Sequence, residues 1–496
     1  MGASGSRESD GISGGLKAEY QSSLKLFNKN ERSELEKSFD AICARDIQTA
    51  GGISSTTSHK YKGFTLTHLQ KFIGSKLPLE ITKRLFNQMW LHQGAFKQPE
   101  DAFVSKEAFI VTLGKAIKGT PEEQSHIIVY LSTDKDASKG IARSDMRKLV
   151  SDLLKSYEDL LEEQVEHKRG WRLSCTDDDN QRFINYIMRE ITEESSTDDT
   201  SLLTEAEVQS WLHHTAMFQL LLTHVLFLCF SQAKPEPLPE TSDSTVDFSL
   251  SQPSLIPVCQ DIPWDKTTSL LDIPSLVLLN RHLPHQLRLQ WRFLYSSAMH
   301  GASFATFLSH IRDKGPMVIL VKDSGGHIFG SFVSESVDLG PSFTGAAQCF
   351  LFQLSPNLGI YESSGKNENY AYLNIDQQTL PNGLGMGGQL YHFGFWLSQD
   401  FGKGHSKGTP KCTTFDSPQL SSNEEFEFDV LEVWALGPPA QVEKVDPDAE
   451  EGISESILDK DPEAQAILEL AGKERKSEGL REQEADIPEV HSLPPM

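Results

Sequence analysis

The chain has 496 residues and carries 46 basic against 70 acidic side chains, a formal net charge of −24. That length allows two to four domains. The acidic balance excludes a nucleic-acid binder, which needs a basic surface to displace counterions from phosphate, and it opposes passive adsorption to anionic lipid.

The opening Met1-Gly2-Ala3-Ser4-Gly5-Ser6 matches an N-myristoylation signal, with Gly2 as the acceptor and Ser6 at the preferred hydroxyl position. The alternative is an ordinary polar start. No apolar leader run follows, so the chain is expected to be intracellular, and its six scattered cysteines, none in a CxxC, are expected to be reduced. A single acyl chain binds membrane only reversibly. Residues 1–30 are rich in Gly, Ser and Lys and read as a flexible arm.

From Glu31 to Phe230 the pattern is helical. Leu35, Phe39 and Ile42 share a face, with Ser33 as a candidate cap. Leu66, Leu69, Phe72 and Ile73 mark a second helix, and 79–90 a third. Residues 103–109 read as a short extended piece entering another helix, and 122–131, 145–161, 183–191 and 205–230 continue the series. Asp134, Asp136, Ser138, Ile141 and Asp145 occupy positions 1, 3, 5, 8 and 12 of an EF-hand calcium loop, and Ile141 is placed to form a small strand with a neighbouring loop. Lys139 stands where the loop's sharp turn needs Gly, and Asp145 is shorter than the usual bidentate Glu. Three readings stay open: calcium binding, an EF-hand-like domain without metal, and a chance cluster. No earlier segment supplies a paired calcium loop, because the gap between Phe39 and Phe72 is long and the early positions before Glu107 are apolar or amide. The apolar run Ala216–Phe230 is shorter than the roughly 20 residues of a bilayer span and reads as a buried helix. His213 and His214 are adjacent, so they cannot share a helix face as zinc ligands.

Residues 231–264 hold six prolines and little periodicity. They read as a connection between domains or as an extended segment laid on the second one. Beyond them, 270–279, 287–293 and 303–310 read as helices. Strand-like runs follow at 316–322, 328–334, 349–354, 370–374, 391–397 and 426–436. Period-two patterning without long crossover helices means a largely antiparallel sheet system, and the fold class is α+β.

Catalytic patterns are weak. Residues 383–388 satisfy GxGxxG, but a strand follows where a dinucleotide site needs a helix, so these glycines are assigned to tight turns or close backbone approach. There is no GxSxG and no HExxH. His392, His405 and Cys412, beside Asp400 and Asp416, match no standard metal or nucleophile spacing. Glu432 alternates with Val430 and Trp434 on one strand face, which predicts a buried, hydrogen-bonded acid with a raised pKa. The tail, 438–496, is acidic. Asp461 caps a predicted helix over 462–471 with Pro462 at its first position and Ile467, Leu468 and Leu470 on it. This helix either packs on its own domain or docks a partner.

Several blocks resemble the TLDc-domain family. They are 269–293, 294–297, 300–304, Ile328-Phe329-Gly330-Ser331-Phe332, 349–352, Leu384-Gly385-Met386-Gly387-Gly388, Phe393-Gly394-Phe395-Trp396-Leu397 and Leu431-Glu432-Val433-Trp434. The match covers about 265–437. The Gly2 start, the EF-hand-like half and the tail 456–466 are similar to the mTOR-associated lysosomal (EAK) branch of that family. The resemblance implies a two-sheet sandwich flanked by helices, with Gly330, Gly385, Gly388, Trp396, Glu432 and Trp434 as structural positions. It implies protection against oxidative stress without an established catalytic mechanism, and docking on the vacuolar proton ATPase, with the C-terminal helix as a contact. It also implies mTOR complex components as partners and the cytoplasmic face of the lysosomal membrane, with a cytosolic pool, as the location. The expected function is a non-enzymatic regulator or scaffold with no cofactor except calcium. The alternatives are a redox-protective or hydrolytic enzyme using Glu432, His392 or Cys412, and a calcium-responsive switch.

Overall fold

The computed structural model describes residues 8–44, 63–93, 102–133, 139–163, 168–193, 202–231 and 254–438. Gly2, Asp134, Asp136, Ser138, Asp461, Ile467, Leu468 and Leu470, together with the predicted 462–471 helix, lie outside the described residues. The described residues belong to one compact unit.

Helix α1 (Glu8–Leu26) leads into four helix–strand–helix units. The first is α2 (Lys29–Ala44), β1 (Gly63–Phe64) and α3 (Leu66–Ile73), and the second is α4 (Leu79–Leu91), β2 (Val104–Ser105) and α5 (Lys106–Lys118). The third is α6 (Pro121–Ser132), β3 (Ile141–Ala142) and α7 (Arg143–Glu163), and the fourth is α8 (Asp177–Glu193), β4 (Leu202–Leu203) and α9 (Glu205–His214). Helix α10 (Ala216–Phe230) then packs on α2, α5, α7 and α9. Local chemistry starts these helices. Thr120 and Glu123, and Thr204 and Glu207, form reciprocal capping boxes at the T-x-x-E signatures.

Three expectations are corrected here. Within the segment expected to be a flexible arm, Glu8–Leu26 is helix α1. The segment's Tyr20, Ser23, Leu24 and Phe27 recur at helical spacing and bury against the helical core, and Gly114 of α5 admits the close approach of Ser23. Helix α2 is capped by Asn28 and not by Ser33: Asn28 Oδ1 accepts from the Glu31 amide at 2.9 Å and Glu31 answers to the Asn28 amide at 2.8 Å. Residues 205–230 are two helices meeting at 97° about Thr215. Helix α10 is buried as expected, and no single described helix is long and apolar enough to cross a membrane.

The second half contains β5 (Val258–Gln260), α11 (Ile273–His282), β6 (Gln290–Ser296), α12 (Ser297–His300), α13 (Phe304–Ile311), β7 (Met317–Asp323), β8 (Ile328–Val333), β9 (Phe350–Ser355), β10 (Gly359–Glu362), β11 (Ala371–Asn374), β12 (Gly383–Met386), β13 (Phe395–Ser398), β14 (Lys403–His405) and β15 (Glu425–Leu436). One layer runs β5-β6-β15-β7-β8-β9-β10 and the other β15-β14-β13-β12-β11. All pairs are antiparallel except β5 with β6. Strand β15 belongs to both layers. Its start pairs with β14, and from Phe428 it pairs with β7, with a register shift between Phe428 and Val430. Such an irregularity bends a strand, which lets one strand turn from one layer into the other.

Strand alternation sorts the side chains. On β7, Met317, Ile319 and Val321 enter the core between the layers, where Phe329 meets Phe395 at 6.0 Å. Val318 and Leu320 face the other way and join the core shared with the helical half.

Two readings change in this half, and a third is resolved between its alternatives. Residues 287–293 were expected to be helical, but 290–296 is strand β6, in which Trp291, Phe293 and Tyr295 are buried at alternate positions. Of the two roles expected for the glycines of 383–388, Gly383 and Gly385 in strand β12 take close approach, and Gly387 and Gly388, at φ +71° and +80°, take the turn. The missing side chains of Gly383 and Gly385 make room for aromatic rings: a Cβ on Gly385 would stand 2.5 Å from the ring of Phe393. The strand expected over 391–397 begins only at Phe395. Residues 254–264 lie on the second half, with β5 beside β6.

Candidate functional site

Two places bring sequence-singled residues together. The first is the second helix-loop-helix pair. Strands β3 and β4 pair with Ile141 opposite Leu203, so Ile141 forms the expected inter-loop strand. Asp145 lies in the first turn of α7. The loop's turn falls at Gly140, which has φ +95° and whose Cβ would stand 2.8 Å from the Leu203 carbonyl. The glycine that sequence places one position late is therefore the one the backbone uses. Ile141 holds position eight of its loop, so the register assigns position eight to Leu203. Counting along the sequence from there puts Ser196, Asp198, Thr200 and Glu207 at positions 1, 3, 5 and 12. These residues are not among the sequence-predicted candidates; the signal that marks them is the apolar Leu203 with Glu207 four residues on. Ser196, Asp198 and Thr200 lie outside the described residues. The Glu207 carboxylate accepts from the Thr204 amide at 2.7 Å and hydroxyl at 2.8 Å, and the amide bond holds its pKa down. Strands β1 and β2 pair in the same way, Phe64 opposite Val104, so the first two units repeat the paired-loop geometry. Counting Phe64 and Val104 as position eight leaves His68 and Ala108 at position 12, neither of them a carboxylate.

The second place is the seam between the halves. Trp171, in the α7–α8 connection, is buried on the sheet with ring centroids 4.8 Å from Trp434, 6.1 Å from Trp291 and 6.2 Å from Trp264. Its indole donates to the Pro257 carbonyl at 2.9 Å. Trp264 returns a bond to the Gly170 carbonyl at 2.9 Å, and the Cys259 amide donates to Arg169 O at 2.9 Å. Beside it Arg182 of α8 bridges Asp179 and Asp272, the N-cap of α11. Burial pushes the carboxyl of Asp272 up, opposed by its cap bond from Ser275.

Glu432 lies two positions before Trp434 on β15 and is fully buried, as predicted. It accepts from the Ser269 hydroxyl at 2.6 Å, the Leu270 amide at 2.9 Å and the Trp434 indole at 2.5 Å. Burial raises its pKa, and these three donors work against the rise. The acid therefore ties the segment before α11 to the middle of the sheet.

The remaining structural positions are scattered. Gly330 sits where β8 meets β7, and a Cβ there would come within 1.9 Å of the Ile319 carbonyl. Gly388 has φ +80° and closes the turn before Phe393. Trp396 stacks on Phe393 at 4.6 Å on the far layer, opposite Gly385 in register. The enzyme candidates do not assemble. The Cys412 thiol is buried and pushed up, the reverse of an activated nucleophile. The His392 ring meets only the Pro410 carbonyl among the described hydrogen bonds, and Asp416 pairs with Lys366 at 2.6 Å. His405 lies under Trp396 with its pKa lowered to about 4 by burial. Among the described residues no group of three His, Cys, Asp or Glu side chains is arranged to hold a metal ion.

A family model described as "TLDc domain" matches residues 264–437, the span of the sheet half. The "MTOR-associated protein MEAK7" of Gallus gallus is 37% identical over 474 residues, covering 93% of this chain and 96% of that protein. The Homo sapiens protein of the same name is 35% identical over 473 residues, covering 92% and 96%. "Nuclear receptor coactivator 7" of Mus musculus is 32% identical over 171 residues, covering 34% of this chain and 17% of that protein.

Proposed function

Since the chain belongs to the TLDc-domain family of the MTOR-associated MEAK7 proteins, we propose that it is a non-enzymatic, mTOR-associated regulator. In this reading it acts at the cytoplasmic face of the lysosomal membrane by docking on the vacuolar proton ATPase, with Gly2 as a lipid anchor and the tail around Ile467, Leu468 and Leu470 as a contact. The observation that carries it is the extent of the relationship. It runs through the helical half and the sheet half alike, and the seam joins these two halves around Trp171 and Glu432. The groups an enzyme would use are engaged otherwise: Glu432 holds structure and Cys412 is a buried thiol pushed toward protonation.

The test is co-purification of the vacuolar ATPase and mTOR from cells expressing the full chain, a chain truncated after residue 438, and Gly2→Ala. The reading expects loss of the ATPase on truncation and loss of membrane partition with Gly2→Ala. Unchanged recovery of both partners by both variants would sink it.

The β3–β4 pairing favours a second reading, a calcium switch in the paired loops 134–145 and 196–207. Calcium would compete with Thr204 for Glu207. Calorimetric calcium binding that disappears in both Asp134→Ala and Glu207→Gln supports this reading, and heat-silent titration of the full chain overturns it.

A further inference from the structure

Helices α8, α9, α10 and α11, together with Arg288 and the end of β10, line a half-open cavity of about 360 Å³ between the two halves. Its walls hold Arg189, Arg281 and Arg288 together with His214 and His282, against a single carboxylate, Glu362. Counting His as neutral, the lining carries 3 − 1 = +2 in a chain of net −24. Glu362 is committed to His282 at 3.2 Å and is itself mostly exposed. Arg189 stacks over Tyr186 at 5.2 Å. Arg288 is oriented by its Nε, which donates to the Leu283 carbonyl at 2.7 Å. No described ion pair engages Arg281 or Arg288, and the two repel one another, which adds to burial in holding the Arg288 pKa down.

The fourth wall is the start of α10. Thr215 makes no side-chain cap there, and the first turn contains no acid. The positive end of a 15-residue helix therefore faces the same space as the guanidinium groups. Clustered cations facing an uncapped helix start are costly unless an anion neutralises them, and together they offer guanidinium forks and backbone N–H donors in the geometry that phosphate oxygens accept. The volume lies within the roughly 300–1,000 Å³ of small-molecule sites and exceeds what a bare ion fills.

We propose that this cavity binds the phosphate group of a small phosphorylated molecule, either a free solute or the headgroup of a lipid. The phosphate lies between Arg281, Arg288 and the amides of Ala216 and Met217. Because the lining comes from both halves, the bound anion also strengthens the seam. This inference is independent of the proposed ATPase docking.

The experiment uses the full-length protein. Soluble inositol trisphosphate and pyrophosphate are titrated calorimetrically and by thermal melting, against sodium chloride at matched ionic strength. Flotation with phosphatidylcholine vesicles, with and without a phosphoinositide, distinguishes the two sources. Arg281→Gln is the first variant, since Arg281 makes no described hydrogen bond inside the protein. Arg288→Gln is the second, and Arg312→Gln, whose partner Asp313 is as exposed as itself, is the control. The expected result is a ligand-dependent rise in melting temperature and a loss of affinity of roughly tenfold or more for each cavity arginine, with none for Arg312→Gln. Binding to soluble probes assigns a solute or headgroup, and binding only to phosphoinositide vesicles assigns the lipid. If neither probe nor vesicle binds, or if Arg281→Gln, folded by its melt, binds as the wild type does, the proposal is overturned.

Discussion

The two halves of the molecule bury polar groups in different ways. In the helical half the buried hydroxyls of Thr112 and Ser132 bond back to carbonyls one turn earlier, and the centre is filled by rings: Phe39, Phe64, Phe109 and Phe230 lie at centroid distances of 5.4 to 5.8 Å. In the sheet half two fully buried carboxylates, Asp323 and Glu432, collect bonds from distant segments. Asp323 accepts from the amides of His327 at 2.8 Å and Ser422 at 2.7 Å, and Glu432 accepts from 269–270. Helices satisfy their own backbone, so what remains to specify is shape. Loops crossing a sandwich leave donors that need an acceptor, and a carboxylate can serve several at once.

That contrast can be broken experimentally. The largest effect is expected at the junction. Trp171→Ala removes a buried ring touching three other tryptophans and should cost about 3–5 kcal/mol. Urea denaturation followed by far-UV circular dichroism should then show two transitions, one for each half. A single transition would mean that the seam does not depend on this ring. Phe109→Ala should cost a similar 3–5 kcal/mol but leave one transition, since its loss is confined to the helical core. Glu432→Gln keeps the shape but turns an amide donor toward a ring of donors. It should cost on the order of 1–3 kcal/mol, more than Thr112→Val in the helical half, as read from denaturation midpoints. Thr204→Ala removes an exposed cap and should cost about 1 kcal/mol.

A pH titration sharpens the comparison further. His92 in the helical half and His405 in the sheet half both have pKa values lowered by burial from 6.5 to about 4. The folded state binds fewer protons than the unfolded state in that window. Stability should therefore fall as pH drops from 6.5 toward 4. Glu432 acts with the opposite sign. Its raised pKa means that stability falls as pH rises above the ordinary glutamate value of 4.5. Melting curves of His92→Asn and His405→Asn should flatten the acid limb, and Glu432→Gln should steepen it.

Much of the architecture was legible from local pattern. The helices over 66–73, 79–91 and 143–163 follow from apolar spacing, and the strands over 317–323, 328–333 and 425–436 from alternation. The burial of Glu432 was legible because Val430 and Trp434 flank it at period two. Where prediction went astray, the decisive neighbour was distant in sequence. Leu16 to Phe27 looked too polar to order until α5 offered Gly114. For the glycines of 383–388 the sequence left turn and close approach open, and the rings of Phe393 and Trp396 beside Gly383 and Gly385 decide it. The forward calcium-loop set ending at Glu207 became visible only once β4 was seen beside β3.

The amino-acid sequence by itself determined which segments are helix and strand, the acidic character and the family, because periodicity and motif are properties of residues close along the chain. Tertiary structure alone decided that Trp171 meets Trp434, that β15 serves two layers, and that Arg281 and Arg288 face the start of α10 across a cavity. These juxtapositions join residues tens to hundreds of positions apart. They depend on how the packed elements close the chain on itself, which no local pattern encodes.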